Sequence, residues 1–181
     1  FPLFLIQPFL GVTPLFFFGG GGGGGGGGRG GPPPPPPRHD IAKSPLFRAA
    51  DLRVAPASPG KAERLLALMA HPSATLYVNL EEAGLLCQTT FADAPSGAAG
   101  LIARGAYRVL VTDGGNSASE GTAGDIITQI PPEVMVTRVT GAGDTFMAAH
   151  IASEAQGVDR AAALTRALNA AATYVSGETP L

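Results

Sequence analysis

Gly141-Ala142-Gly143-Asp144 is the stretch of this sequence in which residue types and spacing could do chemistry. It lies within VTRVTGAGDTFMAAHIASE (136–154), between a segment that runs extended and a segment with a helical pattern. Both glycines can adopt a positive φ and let a ligand approach bare backbone. The first N–H groups of a helix lack partners inside the helix, and its dipole places positive charge there. The stretch therefore predicts an anion site.

Asp144 falls in the first turn of that helix and would point into the same space. A carboxylate is a poor phosphate ligand, but as a general base it can take a proton from a hydroxyl group. The neighbouring anion site would hold the charge that grows on a transferred phosphoryl group. The alternative is an aspartate that only caps the helix after a glycine turn. A dinucleotide fingerprint is excluded, because Phe146 stands where its third glycine is required.

The residues from 48 onward alternate between strand and helix patterns, which predicts an α/β fold with a mostly parallel sheet. Helices are expected over 61–70, 96–106, 143–157 and 159–177, and strands over 74–80, 107–115 and 125–132. This globular region of about 130 residues is long enough for a core but small for an enzyme with two substrates.

The first 47 residues have a different composition. An apolar run interrupted by prolines (1–18) precedes ten glycines (19–28) and six prolines (32–37). The prolines break any membrane-spanning helix, and glycine and proline tracts bury no core. We therefore expect a disordered leader over 1–47, no membrane association, and a globular region over 48–181.

Charge and cysteine content exclude other classes of protein. A net charge of -2 argues against a nucleic-acid binder. The one cysteine, Cys87, excludes an internal disulfide and suits a reducing compartment, so we expect a cytoplasmic protein. No Cys/His cluster has the spacing of a zinc site. The oligomeric state cannot be read from the sequence.

Five segments carry a family resemblance, and they occur in that family's order. They are VAPASPGKAERL (54–65), VNLEEAGLL (78–86), VLVTDGGNSA (109–118), VTGAGDTFMAAHIA (139–152) and ALNAAATYVSG (167–177). Together they resemble the C-terminal half of the ribokinase-like sugar and nucleoside kinases, the phosphofructokinase-B family. The match covers roughly residues 48 to 181.

The resemblance implies a ribokinase-like three-layer αβα fold from which the N-terminal half and its lid are missing. It also implies transfer of the γ-phosphoryl group of ATP to a sugar or nucleoside hydroxyl group, with Mg²⁺ as cofactor. A monovalent cation such as K⁺ is a possible second cofactor in this family. Asp144 would be the general base, and the N–H groups of Ala142 and Gly143, in the turn from Gly141 to Gly143, would form the anion hole.

The remaining roles follow from the other segments. Asn79 and Glu82 would act on hydrated Mg²⁺, Thr112 and Gly114 would contact the nucleotide, and Asn169 would lie beside the adenine. From the residues alone, alternatives stay open. Asn79 would cap a helix that begins near Glu81, the Thr112–Gly114 segment would be a plain strand-end turn, and Asn169 would be exposed.

Other residues limit the interpretation. Arg138 stands where many family members have an acid, and Ala55 where an aspartate is common. His150 is expected to be packed or exposed, and His71 to lie in a loop. The sequence around Asp144 is similar to that of pseudouridine kinases, whose acceptor is a C-nucleoside. Because the family's acceptor-binding half is absent, we expect little kinase activity from this chain alone; the alternative is a non-catalytic, truncated nucleotide-binding fragment.

Overall fold

The computed structural model describes residues 15–17, 45, 47–56 and 59–177. Most of the predicted leader lies outside the described residues, and its disorder stays a prediction. Leu15–Phe17, inside that leader, form a short strand at one edge of the sheet. Within the described part, no helix is long and apolar enough to cross a lipid bilayer.

The described part contains one sheet with helices on both sides. In chain order its elements are β1 (Leu15–Phe17), β2 (Leu52–Val54), a 3₁₀ helix (Pro59–Leu65), α1 (Leu66–Met69), β3 (Ala74–Asn79), α2 (Leu80–Cys87), α3 (Ala94–Ala103), β4 (Arg108–Asp113), β5 (Ser117–Thr122), β6 (Ile126–Gln129), α4 (Ala142–Ala155) and α5 (Arg160–Ser176).

The strands lie in sequence order across the sheet. The four strands β1 to β4 pair in parallel, whereas β5 and β6 are antiparallel to their neighbours. Parallel neighbours need a crossover connection, and the helical segments that follow β2 and β3 supply it. The mostly parallel α/β sheet expected from the sequence is confirmed.

Alternate residues of the central strands face two separate cores. Leu76 and Val78 of β3 belong to the core covered by the 3₁₀ helix, α1, α2 and α3. Tyr77, between them, belongs to the core covered by α4 and α5. This two-residue period is the geometry of a pleated strand buried on both faces. The three-layer αβα architecture implied by the family resemblance is therefore confirmed.

Several boundaries differ from the sequence expectations. The helix expected over 61–70 is a 3₁₀ helix up to Leu65 and a single α-helical turn after it. Strand β5 was not predicted, because its residues, SASEGT, have weak strand propensity. Gly121 fits within it because a Cβ atom there would lie 3.2 Å from the side chain of Ala98 on α3. The segment before the glycine turn, residues 131–139, was expected to run extended; it forms no strand and is mostly exposed.

A set of charged side chains, which we call the buried ion network, lies between the sheet and α4. Its members are Arg53, Arg108, Glu120, Glu154 and Arg160. The fully buried Glu120 of β5 accepts hydrogen bonds from the Nε atoms of Arg108 at 2.8 Å and Arg160 at 2.7 Å. Glu154 of α4 pairs with Arg53 and Arg108. The network therefore joins β2, β4, β5, α4 and α5.

Acid is expected to destabilise the fold through this network. Burial alone would raise the pKa of Glu120, but hydrogen bonds from His150 and Arg160 and the charge of Arg108 lower that pKa from 4.5 to about 2. A lowered folded-state pKa contributes stability above the ordinary pKa and loses it as the pH falls toward the folded value. We therefore expect the free energy of unfolding to fall between about pH 4.5 and pH 2, by about 3 kcal/mol from Glu120 alone.

Urea unfolding measured at a series of pH values checks this expectation. Glu120→Gln, which has no proton to gain, should show a shallower dependence on pH in the acid range than the wild-type chain. Identical slopes for the two chains would contradict it.

Candidate active site

A cleft opens at the carboxyl ends of β3 and β4, beside the first turn of α4. Five of the residues singled out in the sequence line it: Asn79, Glu82, Thr112, Gly143 and Asp144. The carboxyl ends of parallel strands are where open α/β sheets bind ligands. The cleft has a volume of about 140 Å³. That is below the roughly 300–1,000 Å³ typical of small-molecule pockets, so it can enclose only part of a large ligand.

The glycine turn before α4 has one left-handed residue. Gly141 has a φ of 94° and is the N-cap of α4, without a side-chain hydrogen bond to the cap. Gly143 lies inside the first helical turn and does not have a positive φ, contrary to the expectation for both glycines. Its open side has no atom within 4 Å of a Cβ position, so its backbone is accessible.

The free N–H groups of the turn differ from the predicted pair. The Ala142 N–H donates to the Val139 carbonyl oxygen at 3.0 Å, and the Thr145 N–H donates to the Gly141 carbonyl oxygen at 2.9 Å. Within the described residues, the N–H groups of Gly143 and Asp144 have no hydrogen-bond partner. The turn therefore leaves the N–H groups of Gly143 and Asp144 free, since a reverse turn already uses the Ala142 donor.

The C-terminal end of α5 holds the glycine turn in place. The Tyr174 hydroxyl donates to the Thr140 carbonyl oxygen at 2.9 Å. The Arg138 guanidinium lies 4.0 Å from the centre of the Tyr174 ring, and its Nε donates to the Tyr174 carbonyl oxygen at 2.7 Å. Arg138, which departs from the family pattern, thus contacts α5. These contacts leave no room beside Gly141, where a Cβ atom would lie 2.7 Å from the Tyr174 hydroxyl oxygen.

Gly141→Ala is expected to lower the free energy of unfolding by about 1–3 kcal/mol, because a left-handed φ and a close contact coincide. Thermal unfolding of the variant measures this loss. Gly60→Ala is the matched control, since Gly60 has open space around it and no positive φ. Equal stability of the two variants would contradict the left-handed turn.

Asn79 and Glu82 form a capping box at the start of α2. The Asn79 side chain accepts from the Glu82 N–H at 2.8 Å, and Glu82 Oε2 accepts from the Asn79 N–H at 2.9 Å. The capping alternative for Asn79 is thus present in the structure. Burial raises the pKa of the Glu82 carboxyl, and the hydrogen bond from Asn79 partly opposes this.

The oxygen atoms of the cleft suit a hard cation. Glu82 has its Oε1 oxygen outside the capping box, and the Asp144 carboxylate is exposed at the opposite wall. Mg²⁺ retains several waters and needs only one or two carboxylates with substrate phosphates. No group of three or more His, Cys, Asp or Glu side chains in the described part could hold a metal ion by itself. The residues present therefore fit Mg²⁺ held largely through water and phosphate.

Two predicted nucleotide contacts lie outside the cleft. Gly114 is exposed in the turn between β4 and β5, with a φ of 53°, and Asn169 is exposed on α5. The positive φ of Gly114 fits a turn glycine. Gly114 thus lies in a strand-end turn and Asn169 is exposed, as the alternatives from the residues alone expected. Their contacts with a nucleotide stay predictions.

Two aromatic residues to which no sequence motif assigns a role in the site form the floor of the cleft. Tyr77 of β3 and Phe146 of α4 line it, and both rings contact the buried His150. His150 is packed rather than exposed. A histidine within the apolar face of α4 was the one sequence signal for this arrangement.

Comparisons with known proteins agree with this geometry. Residues 40–179 match the family described as pfkB family carbohydrate kinase. No curated protein sequence matches the chain.

Three solved structures illustrate the similarity of fold. They are a putative sugar kinase from Clostridium perfringens (20% identity, TM-score 0.69, 80% of this chain and 47% of that chain), an adenosine kinase from Sinorhizobium meliloti (18%, 0.64, 76% and 43%) and the phosphofructokinase-2 from Escherichia coli in complex with substrates and products (19%, 0.61, 75% and 46%). The chain thus spans less than half the length of each of these kinases.

Proposed function

The chain belongs to the pfkB family of carbohydrate kinases, and from this premise we propose that it transfers the γ-phosphoryl group of ATP to a sugar or nucleoside hydroxyl group. One observation carries the proposal. Gly143 and Asp144, whose N–H groups are free, line one cleft together with Glu82, so that a carboxylate and two N–H donors belong to the same wall. A proton acceptor and an anion site side by side are what phosphoryl transfer to an alcohol requires.

Asp144 is the proposed general base. It would accept the proton of the acceptor hydroxyl group while that oxygen attacks the γ-phosphorus. The N–H groups of Gly143 and Asp144 point along the α4 dipole, so they would stabilise the negative charge on the transferred group. The hydrogen bond from Tyr174 to Thr140 and the close packing of Tyr174 on Gly141 would keep these donors in a fixed position before the reaction.

Mg²⁺ is the proposed metal cofactor, and when bound it neutralises phosphate charge. Glu82 and Asn79 would hold its water shell from the start of α2. Thr112 would contact the phosphates from the end of β4, whereas Gly114 and Asn169, beyond the cleft, would contact the outer part of the nucleotide. K⁺ stays a prediction from the family resemblance alone.

The proposed class of acceptor is based on the similar solved structures and on the sequence around Asp144. The solved structures include sugar kinases and adenosine kinases, which supports a sugar or nucleoside as acceptor. Within that class we propose pseudouridine, on the similarity of residues 139–148 to pseudouridine kinases. A cytoplasmic location is proposed from the free, buried thiol of Cys87.

A second candidate is a nucleotide-binding fragment without catalysis. The small volume of the cleft and the partial coverage of the related kinases favour it for this chain on its own. In both candidates the cleft binds ATP, and only the first transfers its phosphate. An acceptor panel that includes ribose, adenosine and pseudouridine, assayed with MgATP, separates the two. Rapid phosphoryl transfer from MgATP to one of these acceptors would exclude the second candidate.

MgATP is expected to stabilise the folded chain. A ligand that binds only the native state adds about 2.7 kcal/mol at a concentration one hundred times its dissociation constant. Thermal unfolding with and without MgATP measures this, with Mg²⁺ alone as control. An unchanged melting temperature at millimolar MgATP would refute the proposed nucleotide site.

Gly143→Ala is expected to weaken MgATP binding about tenfold without loss of stability. The added methyl group would enter the cleft where no atom lies within 4 Å, so it would block phosphate from the N–H groups and not strain the fold. Alanine also favours the helix by up to about 1 kcal/mol. Calorimetric titration and urea unfolding measure the two effects. Wild-type affinity in the variant would contradict close approach of phosphate to this backbone.

A further inference from the structure

His150 lies directly under the floor of the cleft, on the helix that begins with the candidate base. It is fully buried and stands six positions after Asp144. The Tyr77 ring meets the imidazole edge-on, with centroids 5.7 Å apart, and the Phe146 ring stacks on it with centroids 6.4 Å apart. Both residues also line the cleft. The imidazole is therefore the point at which β3 and α4 meet beneath the site.

A chain of polar contacts surrounds this imidazole. Arg53 Nη1 donates to the Tyr77 hydroxyl oxygen at 3.3 Å, and arginine can only donate. The same hydroxyl oxygen lies 2.9 Å from His150 Nδ1, within hydrogen-bond distance. On the other side of the ring, His150 Nε2 faces Glu120 Oε2 at 3.5 Å.

The contacts of Tyr174 hold the turn before α4, and the first helical turn itself contributes few others. Its N-cap is Gly141, which makes no side-chain capping hydrogen bond, and both Gly143 and Asp144 are exposed. Helix ends fray when their orphan groups lack partners. The tether at His150 lies about 9 Å further along the helix axis, at 1.5 Å per residue. The polar and ring contacts with Tyr77 fix how α4 is rotated against β3, and the Phe146 ring, one turn before His150 on the same helix, stacks on the imidazole.

We propose that His150 is a positioning residue, which holds the first turn of α4 at a fixed distance from the Asn79 end of β3 by locking Tyr77 and Phe146. The proposal rests on the proposed function, because the group it positions is the general base Asp144. His150 does not itself reach the cleft. It acts through the two rings, and Glu120 Oε2 of the buried ion network lies 3.5 Å from its Nε2.

The test compares three variants of the whole chain. His150→Leu keeps an apolar side chain but removes every polar contact, and His150→Gln restores a carbonyl that can accept from Tyr77 and an amide that can face Glu120. His71→Leu is the matched control, a second buried histidine, whose Nε2 lies 2.9 Å from the Phe47 carbonyl oxygen. Two quantities are measured: the dissociation constant of MgATP, and amide hydrogen exchange at 145–147 of α4 against 163–172 of α5.

His150→Leu should raise the dissociation constant about tenfold and speed exchange at 145–147 about tenfold, with exchange in α5 unchanged. His150→Gln should return the dissociation constant to within about threefold of the wild type. His71→Leu should leave both quantities unchanged. A folded His150→Leu chain with wild-type affinity and wild-type exchange at 145–147 would overturn the proposal.

If His150→Leu fails to fold, Tyr77→Phe removes the hydroxyl that meets the imidazole and keeps the ring. It should give smaller increases in the same two quantities, and no increase would overturn the proposal. The exchange measurement needs no nucleotide. A wild-type chain that does not bind MgATP would refute the proposed function, while faster exchange confined to 145–147 in the variant would still support positioning by His150.

Discussion

Asp144→Asn is expected to slow phosphoryl transfer about 10²–10⁴-fold and to leave MgATP binding equal to or tighter than in the wild type. The amide cannot accept the proton of the acceptor hydroxyl, so the chemical step loses its base. Removing a carboxylate from beside an anion site also removes repulsion of the phosphates. Transfer is measured in the longest polypeptide that the gene encodes, and MgATP affinity is measured in this chain.

Asp159→Asn is the matched control for the loss of one carboxylate. Asp159 caps α5 by accepting from the Ala162 N–H at 3.0 Å, and asparagine caps a helix equally well. This variant should therefore keep both the transfer rate and the affinity. Transfer at the wild-type rate by Asp144→Asn would remove the general-base role.

Glu120→Ala is expected to lower the free energy of unfolding by about 3–5 kcal/mol. Glu120 is fully buried, and it accepts from Arg108 and Arg160 while facing His150. Its removal leaves an arginine, Arg108, that is largely buried without one of its two carboxylate partners. Urea unfolding at neutral pH measures the loss.

Asp125→Ala provides the comparison on the surface. Asp125 also pairs with Arg160, at 2.7 Å, but more than half of its side chain is exposed. Exposed ion pairs contribute little because water already solvates both charges. A similar loss of stability in Asp125→Ala and Glu120→Ala would show that burial does not set the strength of the network.

Local sequence patterns were sufficient for the elements that carry the site. The helix expected over 143–157 is observed as Ala142–Ala155, with Asp144 in its first turn. The strand expected over 74–80 is observed as Ala74–Asn79, with Asn79 at its end. The helix begins after Gly141 and the strand ends at Asn79, so the local signals and the packing favour the same structure.

The features that could not be predicted from the sequence depend on tertiary contacts. Strand β5 has a polar composition, and it forms because β4 pairs along its full length and arginines neutralise Glu120. Arg53 and Glu154 of the buried ion network stand 101 positions apart, so no local pattern links them. The bond of the Ala142 N–H to the Val139 carbonyl oxygen could not be predicted either, because it depends on the path of an irregular loop.

The most direct test of the proposed phosphate site is a titration of the isotope-labelled chain with MgATP, followed through the backbone amide signals. We expect the largest saturable shifts at Gly143 and Asp144, with smaller shifts at Glu82 and Thr112 across the cleft. Amide signals of Gly143 and Asp144 that stay in place while MgATP binds elsewhere would contradict it.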